Sequence, residues 1–145
     1  MISDLTFRPI VPDEVAAFVR ADEYGFSNRY DEPLEEHIEF AGAELERTIA
    51  AFDGDEIVAC GRNFSLELTL PGGAIVPASG VSWISVRPTH RRRGILTAVM
   101  TALLDDSIAH GESLSMLTAS ESGIYRRFGY GVATRVLSIR MARGF

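Results

Sequence analysis

Residues 83–96 have the sequence WISVRPTHRRRGIL, and this stretch decides the fold. Pro88 ends a strand that is expected to begin near residue 78, and three consecutive arginines then lead into a helix that starts at Gly94. A strand, a basic turn and a helix in this order predict an anion site. The reason is that a helix N-terminus leaves several backbone N–H groups without intrahelical partners and carries partial positive charge.

The residues of the turn suit a pyrophosphate. Gly94 has no side chain that would keep a ligand away from the main chain. Arg91, Arg92 and Arg93 add fixed charge in the bidentate geometry that matches phosphate oxygens. The alternative is a solvated basic turn before an amphipathic helix. The sequence lacks the Gly-Lys-Ser/Thr ending of a nucleoside-triphosphate P-loop and the Gly-x-Gly-x-x-Gly turn of dinucleotide-binding proteins.

Outside this stretch, the spacing of apolar residues predicts the remaining elements. Strands are expected at 5–10, 48–52, 57–70, 78–86, 114–118 and 132–141. Helices are expected from Pro12, at 33–43, at 94–109 and at 121–128, and a loop or broken helix at 21–31. Three consecutive antiparallel strands among these helices, with no interdomain linker, predict an α/β or α+β fold built on a single sheet.

The composition indicates one globular domain. The chain has 145 residues, of which 46% are hydrophobic and 23% are charged, so it can bury a substantial core and is too apolar to be disordered. No apolar run approaches the ~18 residues that a spanning helix needs, and the first residues lack the pattern of a signal peptide. We therefore expect a cytoplasmic protein with no membrane partner. Cys60 is the only cysteine and the three histidines are far apart, so no metal site is expected.

Charge is distributed unevenly along the chain. The formal net charge is −6, and 12 of the 20 acidic residues lie at or before Glu46, whereas four of the 14 arginines lie within 87–93. An acidic surface disfavours nucleic acid, and a compact basic spot suits a small polyanion. We therefore expect no nucleic-acid partner.

Three segments carry a resemblance to a known family. The pattern Arg91-x-x-Gly94-x-Leu96 resembles the coenzyme A-binding signature R/Q-x-x-G-x-G/A of the GNAT acetyltransferase superfamily. The segments 71–74 (PGGA), 86–94 (VRPTHRRRG) and 119–131 (ASESGIYRRFGYG) are most similar to the N-terminal acetyltransferase domain of the Eis (enhanced intracellular survival) family. Leu96 departs from the general signature but is usual in the Eis-like branch. The resemblance implies a mixed, mostly antiparallel sheet flanked by helices, with splayed fourth and fifth strands.

The same resemblance implies that acetyl-CoA is the cofactor and that its pantetheine arm lies between the splayed strands. Its pantetheine would pair with the main chain of Ile84, Ser85 and Val86, as an added strand does. Its pyrophosphate would be held by the side chains of Arg91 and Arg92 and by main-chain amides from Arg92, Arg93, Gly94, Ile95, Leu96 and Thr97. Ser120 and Glu121 match family positions that border the cofactor.

At the reacting end, the resemblance assigns Tyr125 as the general acid that protonates the leaving thiolate. The alternative for Tyr125 is a packed aromatic residue with a satisfied hydroxyl group. The main-chain N–H of Val86 is the candidate donor to the developing oxyanion.

The acceptor would be an amine. Trp83 either forms a wall of the acceptor pocket or fills the core. Tyr24 and Phe26, with Asp22 or Glu23 beside them, are expected to line a pocket for a cationic amine. Aminoglycosides, polyamines and lysine-bearing peptides all satisfy this expectation.

The general base is where the sequence departs from the family. Full-length Eis-like enzymes use the carboxylate of their own C-terminus, which follows two further domains. Here the carboxylate of Phe145, Glu121 and water relayed to bulk solvent are the three candidates. Residues 1–145 accordingly form either one GNAT domain or the first domain of a longer Eis-like chain, and oligomers are known in the family.

The leading hypothesis is an N-acetyltransferase that moves an acetyl group from acetyl-CoA directly to a primary amine. The alternative is a non-enzymatic or truncated coenzyme A-binding module that lacks a general base.

Overall fold

The computed structural model describes residues 2–26, 40, 44–119 and 121–135. Of the helix expected at 33–43, only Phe40 is described, and it is helical. Ser120, Phe145 and the part of the expected last strand beyond residue 135 lie outside the described residues.

Among the described residues, five strands form one sheet in the order β1-β2-β3-β4-β5. The first four pair antiparallel with their neighbours, and β5 runs parallel to β4. The mixed, mostly antiparallel sheet that the sequence predicted is therefore confirmed. The strands are β1 Thr6–Arg8, β2 Thr48–Asp53, β3 Glu56–Thr69, β4 Ile75–Val86 and β5 Leu114–Leu117.

Strand β4 begins three residues earlier than predicted. Pro77, the residue before the expected start, cannot donate a ladder hydrogen bond. In the structure, Pro77 lies opposite Glu67 of β3, and the pairing of β4 with β5 begins only at Ala78. Pro77 therefore lies where β4 has a single neighbour, which is the position in a sheet that tolerates proline.

One long helix packs on each face of the sheet: α1 Val15–Phe26 and α2 Ile95–Ala109. Because successive strand residues point to opposite faces, β2 and β3 supply both cores. Ala50 and Cys60 belong to the core under α1, and Ala51 and Ala59 belong to the core under α2.

Helix α2 lies close to the sheet because residue 61 of β3 is a glycine. A Cβ atom at Gly61 would lie 2.6 Å from Cγ1 of Val99 and 2.9 Å from Cδ1 of Leu103. With Ile95 and Met100, these side chains are completely buried. This buried side of α2 fixes the start of the helix against the end of β4.

A loop or broken helix is expected at 21–31. Residues 21–26 are instead the last turns of α1, and residues 27–31 lie outside the described residues. Gly25 disfavours a helix in isolation. Ala21, Asp22 and Gly25 are nevertheless buried against the sheet, and tertiary packing outweighs that weak local preference.

The helix expected at 121–128 is two 3₁₀ turns, Ser122–Ile124 and Arg126–Phe128. Gly129, with φ of 90°, then ends the segment. Residues 131–135 have no regular secondary structure, so the strand expected from residue 132 is absent from that described part.

Candidate active site

A wedge opens where β4 and β5 stop pairing. The two strands are paired only from Ala78 opposite Leu114 to Val81 opposite Leu117. Strand β4 continues for five residues beyond this point to Val86, whereas β5 ends. Those five residues of β4 therefore have a neighbour on one side only.

A β-bulge lies at the start of the wedge. Cys60 of β3 pairs with Ser85 and Arg62 pairs with Ser82, so that Trp83 and Ile84 both lie opposite Gly61. Trp83 has a positive φ of 58°. A bulge of this kind redirects side chains and increases the local twist.

The bulge places Trp83 in two environments. Its ring centroid lies 6.0 Å from that of Phe18 and 5.2 Å from that of Phe40, so it packs against the core under α1. Trp83 also lines the groove described below. Trp83 therefore fills part of the core and also lines the groove, and its place in an acceptor pocket stays a prediction.

The main chain of Val86 faces the wedge. Arg87 donates its N–H to the carbonyl oxygen of Val58 at 2.9 Å, and Val58 precedes Ala59, the partner of Val86 in the ladder. In antiparallel strands this pattern identifies the Ala59–Val86 pair as one that exchanges no direct hydrogen bonds. The N–H and C=O groups of Val86 therefore point away from β3.

The turn after β4 presents unbonded amides. Gly94 has φ of 85° and is the N-cap of α2, with no side chain hydrogen-bonded across the cap. Arg92 also has a positive φ, of 64°. The first intrahelical bond runs from the N–H of Ala98 to the carbonyl of Gly94. The three preceding amides, of Ile95, Leu96 and Thr97, find no acceptor within the described part of the chain.

The three arginines of the turn have different partners. Arg91 donates from Nε to the carbonyl of Val86 at 3.1 Å and from Nη2 to the carbonyl of Gly25 at 2.8 Å. Arg93 donates to the carbonyl of Thr89 at 2.9 Å. Among the described residues, the guanidinium of Arg92 has no hydrogen-bond or ion-pair partner and lines the groove. The basic turn alone predicted one role for the three side chains, whereas the family resemblance assigned the pyrophosphate to the side chains of Arg91 and Arg92.

The wedge and the turn belong to one groove of about 1070 Å³. Most of the predicted site residues line it: Phe26, Trp83, Ile84, Ser85, Val86, Arg91, Arg92, Gly94, Ile95, Leu96, Thr97, Glu121 and Tyr125. Asp22, one of the two acids expected beside the aromatic residues, also lines the groove and is 8% exposed.

Two predicted site residues do not line the groove. Tyr24 is exposed, and the guanidinium of Arg87 lies 5.2 Å from its ring centroid. The side chain of Arg93 is directed to Thr89.

Sequence reasoning missed several lining residues, among them Gly25, His90, Leu117, Thr118, Ile124 and Arg127. For two of them a signal was available. Arg127 stands two residues after Tyr125 in the third family segment, and His90 directly precedes the arginines.

Tyr125 lies at the β5 side of the groove and is half-buried. Burial raises the pKa of its phenol, and Tyr130 and Glu121 nearby raise it further. The ring of Tyr130 meets that of Tyr125 edge-on at 6.1 Å, and the Tyr130 hydroxyl lies 2.5 Å from Oγ of Ser115. Tyr125 is therefore a protonated phenol at neutral pH.

The described residues contain neither a metal-binding cluster nor a membrane-spanning helix. No cluster of three or more His, Cys, Asp or Glu side chains in that part of the chain could hold a metal ion. Among the same residues, no helix is both long and apolar enough to span a membrane.

Comparisons with known proteins point to one family. The model of the acetyltransferase (GNAT) domain matches residues 6–133. An uncharacterized N-acetyltransferase of Streptomyces griseus is 44% identical over 131 residues, which are 89% of this chain and 31% of that protein. N-acetyltransferase Eis of Mycobacterium tuberculosis is 42% identical over 92 residues, 63% of this chain and 23% of that protein.

Among solved structures, the crystal structure of Eis1 from Mycobacterium abscessus superposes with a TM-score of 0.77 and 37% identity. The match covers 90% of this chain and 31% of that chain. The matched part of this chain thus spans between 23% and 31% of the length of these three relatives.

Proposed function

Because this chain belongs to the GNAT family of acetyltransferases, we propose that it binds acetyl-CoA in the groove and transfers the acetyl group to a primary amine. GNAT acetyltransferases use acetyl-CoA. The observation that carries the proposal is the groove itself, where strand edge, unbonded amides and a phenol line one cavity. A strand edge binds an extended amide chain, and a helix N-terminus binds phosphate.

The pyrophosphate is assigned to the turn before α2. The amides of Ile95, Leu96 and Thr97 have no acceptor within the described residues, and the guanidinium of Arg92 lines the same groove. Oriented N–H donors beside a fixed positive charge are the groups that a pyrophosphate requires. Pantetheine then extends along Ile84 to Val86, with Glu121 at its border.

Tyr125 and Val86 are assigned to the reacting end. Acetyl-CoA supplies the acetyl group as a thioester. The neutral amine forms a bond to the carbonyl carbon, the N–H of Val86 stabilises the charge that develops on the oxygen, and the carbon–sulfur bond breaks. Tyr125 gives its proton to the departing sulfur and regains one from solvent.

The acceptor enters from the α1 side. Phe26, Trp83 and Asp22 line that side of the groove, and an aromatic wall with a carboxylate suits a cationic amine. An aminoglycoside, a polyamine and a lysine side chain share this chemistry. The amine loses its proton to Glu121, to the carboxylate of Phe145 or to relayed water.

Calorimetric titration of acetyl-CoA into the chain tests the cofactor site. Arg92→Ala is expected to weaken binding about ten-fold, since a hydrogen bond to a charged group contributes about 1.5–3 kcal/mol. Arg93→Ala removes an equal charge whose side chain is directed to Thr89, so a smaller loss is expected. Absence of binding by a folded chain would overturn the proposal.

Thiol release with an aminoglycoside, spermidine and a lysine-containing peptide tests transfer. Release above the rate without amine supports the enzyme. Binding of acetyl-CoA without release to any amine would favour the alternative of a coenzyme A-binding module.

A further inference from the structure

The guanidinium of Arg91 joins the end of β4 to the last turn of α1. Its Nε donates to the carbonyl of Val86 at the end of β4, and its Nη2 donates across 66 positions of sequence to the carbonyl of Gly25 in the last turn of α1. Gly25 and Val86 both line the groove. One side chain of the cofactor-binding turn thus holds the part of α1 that is expected to meet the acceptor.

The bond to Gly25 also satisfies a helix end. The last four carbonyls of a helix have no intrahelical donor, and α1 ends at Phe26, one residue after Gly25. A cation at this end is favourable because the C-terminus of a helix carries partial negative charge. Arg91 therefore acts as a C-terminal cap that is supplied from a distant part of the chain.

The contact between α1 and β4 at this point is close. A Cβ atom at Gly25 would lie 2.7 Å from Cβ of Ser85, so the backbone of α1 lies directly on the strand. A cation–π contact also holds this turn, because the guanidinium of Arg87 lies 5.2 Å from the ring centroid of Tyr24. The position of the last turn of α1 is thus set by residues that flank the cofactor site.

We propose that Arg91 is a positioning residue for amine acetylation, which places the acceptor wall of α1 relative to the end of β4. This inference rests on the proposed function. It separates Arg91 from Arg92, whose guanidinium has no partner among the described residues and is assigned to the pyrophosphate. The sequence resemblance gave both side chains the same role.

The test compares Arg91→Ala with Arg92→Ala, which removes an equal charge from the same turn. Amide hydrogen exchange of residues 20–26 is measured for each chain without ligands, and acetyl-CoA affinity by calorimetry. Arg91→Ala is expected to speed exchange in this turn about ten-fold, the effect of one charge-assisted hydrogen bond. Arg92→Ala should leave this exchange unchanged and weaken acetyl-CoA binding more than Arg91→Ala does.

Steady-state kinetics supply the functional readout, with whichever amine of the panel above is acetylated. Arg91→Ala should lower kcat/KM for the amine about ten-fold while the Kd of acetyl-CoA changes less than about three-fold. Arg91→Lys, which retains the positive charge beside the end of α1, should recover part of the protection and of the kcat/KM. If Arg91→Ala is unstable, exchange at residues 20–26 and kcat/KM in Arg91→Lys still test whether Arg91 positions α1.

The proposal is overturned if exchange at 20–26 is unchanged in Arg91→Ala, or if acetyl-CoA affinity falls as in Arg92→Ala while the kinetics for the amine are unaffected. Lack of transfer to every amine would count against the proposed function alone, because the exchange experiment does not depend on activity.

Discussion

At the residue scale, the candidate site coincides with backbone strain. Trp83 and Arg92 are the two described non-glycine residues with positive φ, and both line the groove. Such conformations cost on the order of 1–3 kcal/mol each and persist where the surroundings over-determine them. The bulge opposite Gly61 fixes Trp83, and the junction between β4 and α2 fixes Arg92. In both cases the strained residue is where the main chain changes direction around the groove.

Tyr125→Phe tests the general acid. The variant retains the ring and loses the proton that the leaving sulfur would receive, so kcat for thiol release should fall by about 10²–10⁴-fold, the usual contribution of general acid–base catalysis. Acetyl-CoA affinity should be little changed. Because burial raises the pKa of Tyr125, its deprotonation should lower activity only above the ordinary tyrosine value of about 10. Thiol-release assays from pH 6 to 10 would measure the fall in kcat and would show whether activity is retained up to about pH 10.

Tyr130→Phe is the matched control, since Tyr130 packs against Tyr125 and its hydroxyl contacts Ser115. Loss of this hydrogen bond should lower the free energy of unfolding by about 1 kcal/mol with a much smaller effect on kcat. An unchanged kcat in Tyr125→Phe would remove the phenol from the mechanism.

The strands and helices that depend on nearby residues alone could be predicted from the sequence. The strands expected at 48–52 and 57–70, the strand before Pro88 and the helix after Gly94 are present as expected. The end of α1 was missed because its stability comes from packing on β4, which no periodicity reveals. The sequence predicts a helix at 121–128 where the structure has two 3₁₀ turns, because over so short a segment apolar spacing does not distinguish the two kinds of helix.

An ion pair between Arg8 of β1 and Glu14, the residue before α1, predicts that the stability of the fold is sensitive to acid. Arg8 of β1 donates two hydrogen bonds to Glu14 at 2.8 and 2.6 Å, and the N–H of Val11 donates a third to the same carboxylate. Together they lower the pKa of Glu14 to about 2. A carboxyl group whose pKa is lowered by folding stabilises the native state fully when the pH is above the pKa of that group in the unfolded chain. That contribution disappears as the pH falls through the folded value.

Glu14→Gln should therefore lower the free energy of unfolding at neutral pH by about 1 kcal/mol, as expected for a partly exposed pair. The difference from the unsubstituted chain should shrink between about pH 4.5 and pH 2. Urea unfolding at several pH values measures this. Asp13→Asn removes a neighbouring charge that makes no hydrogen bond within the described residues, and it should retain the wild-type acid sensitivity. A pH-independent difference for Glu14→Gln would contradict the linkage.

At the scale of the whole molecule, α2 connects two polar centres. Its N-terminus borders the groove, and its last turns, about 20 Å away at 1.5 Å per residue, meet a buried cluster around Arg47. The signature of the groove is continuous in sequence, so the family resemblance could be found from it, and the domain match over residues 6–133 confirms the family. The Arg47 cluster could not be predicted, because its partners lie 18 to 65 positions away.

Arg47 is 1% exposed and forms the centre of this cluster. Its guanidinium donates two hydrogen bonds to Glu112 at 2.7 Å each, two to Asp106 at 2.9 and 3.0 Å, and one to Ser65 at 2.6 Å. Asn63 donates to the same oxygen of Asp106 at 2.8 Å. The start of β2, the middle of β3, the end of α2 and the connection to β5 are thus joined through one side chain. The hydrogen bonds that Arg47 donates to the carboxylates of Glu112 and Asp106 raise the pKa of its guanidinium.

Arg47→Met should be the most damaging single substitution among these ion pairs. It leaves the Asp106 and Glu112 carboxylates facing each other without a cation, which typically costs about 3–5 kcal/mol and, for a chain of this length, lowers Tm by roughly 10 °C. Arg8→Met, at a pair whose arginine side chain is 41% exposed, is the matched control and should cost about 1 kcal/mol or less. Adding Asp106→Asn and Glu112→Gln to Arg47→Met removes the uncompensated charges and should recover part of the loss in calorimetric melting. Equal stabilities for the two methionine variants would mean that the cluster contributes no more than a surface ion pair, while a triple variant as unstable as Arg47→Met would assign the loss to packing instead of charge.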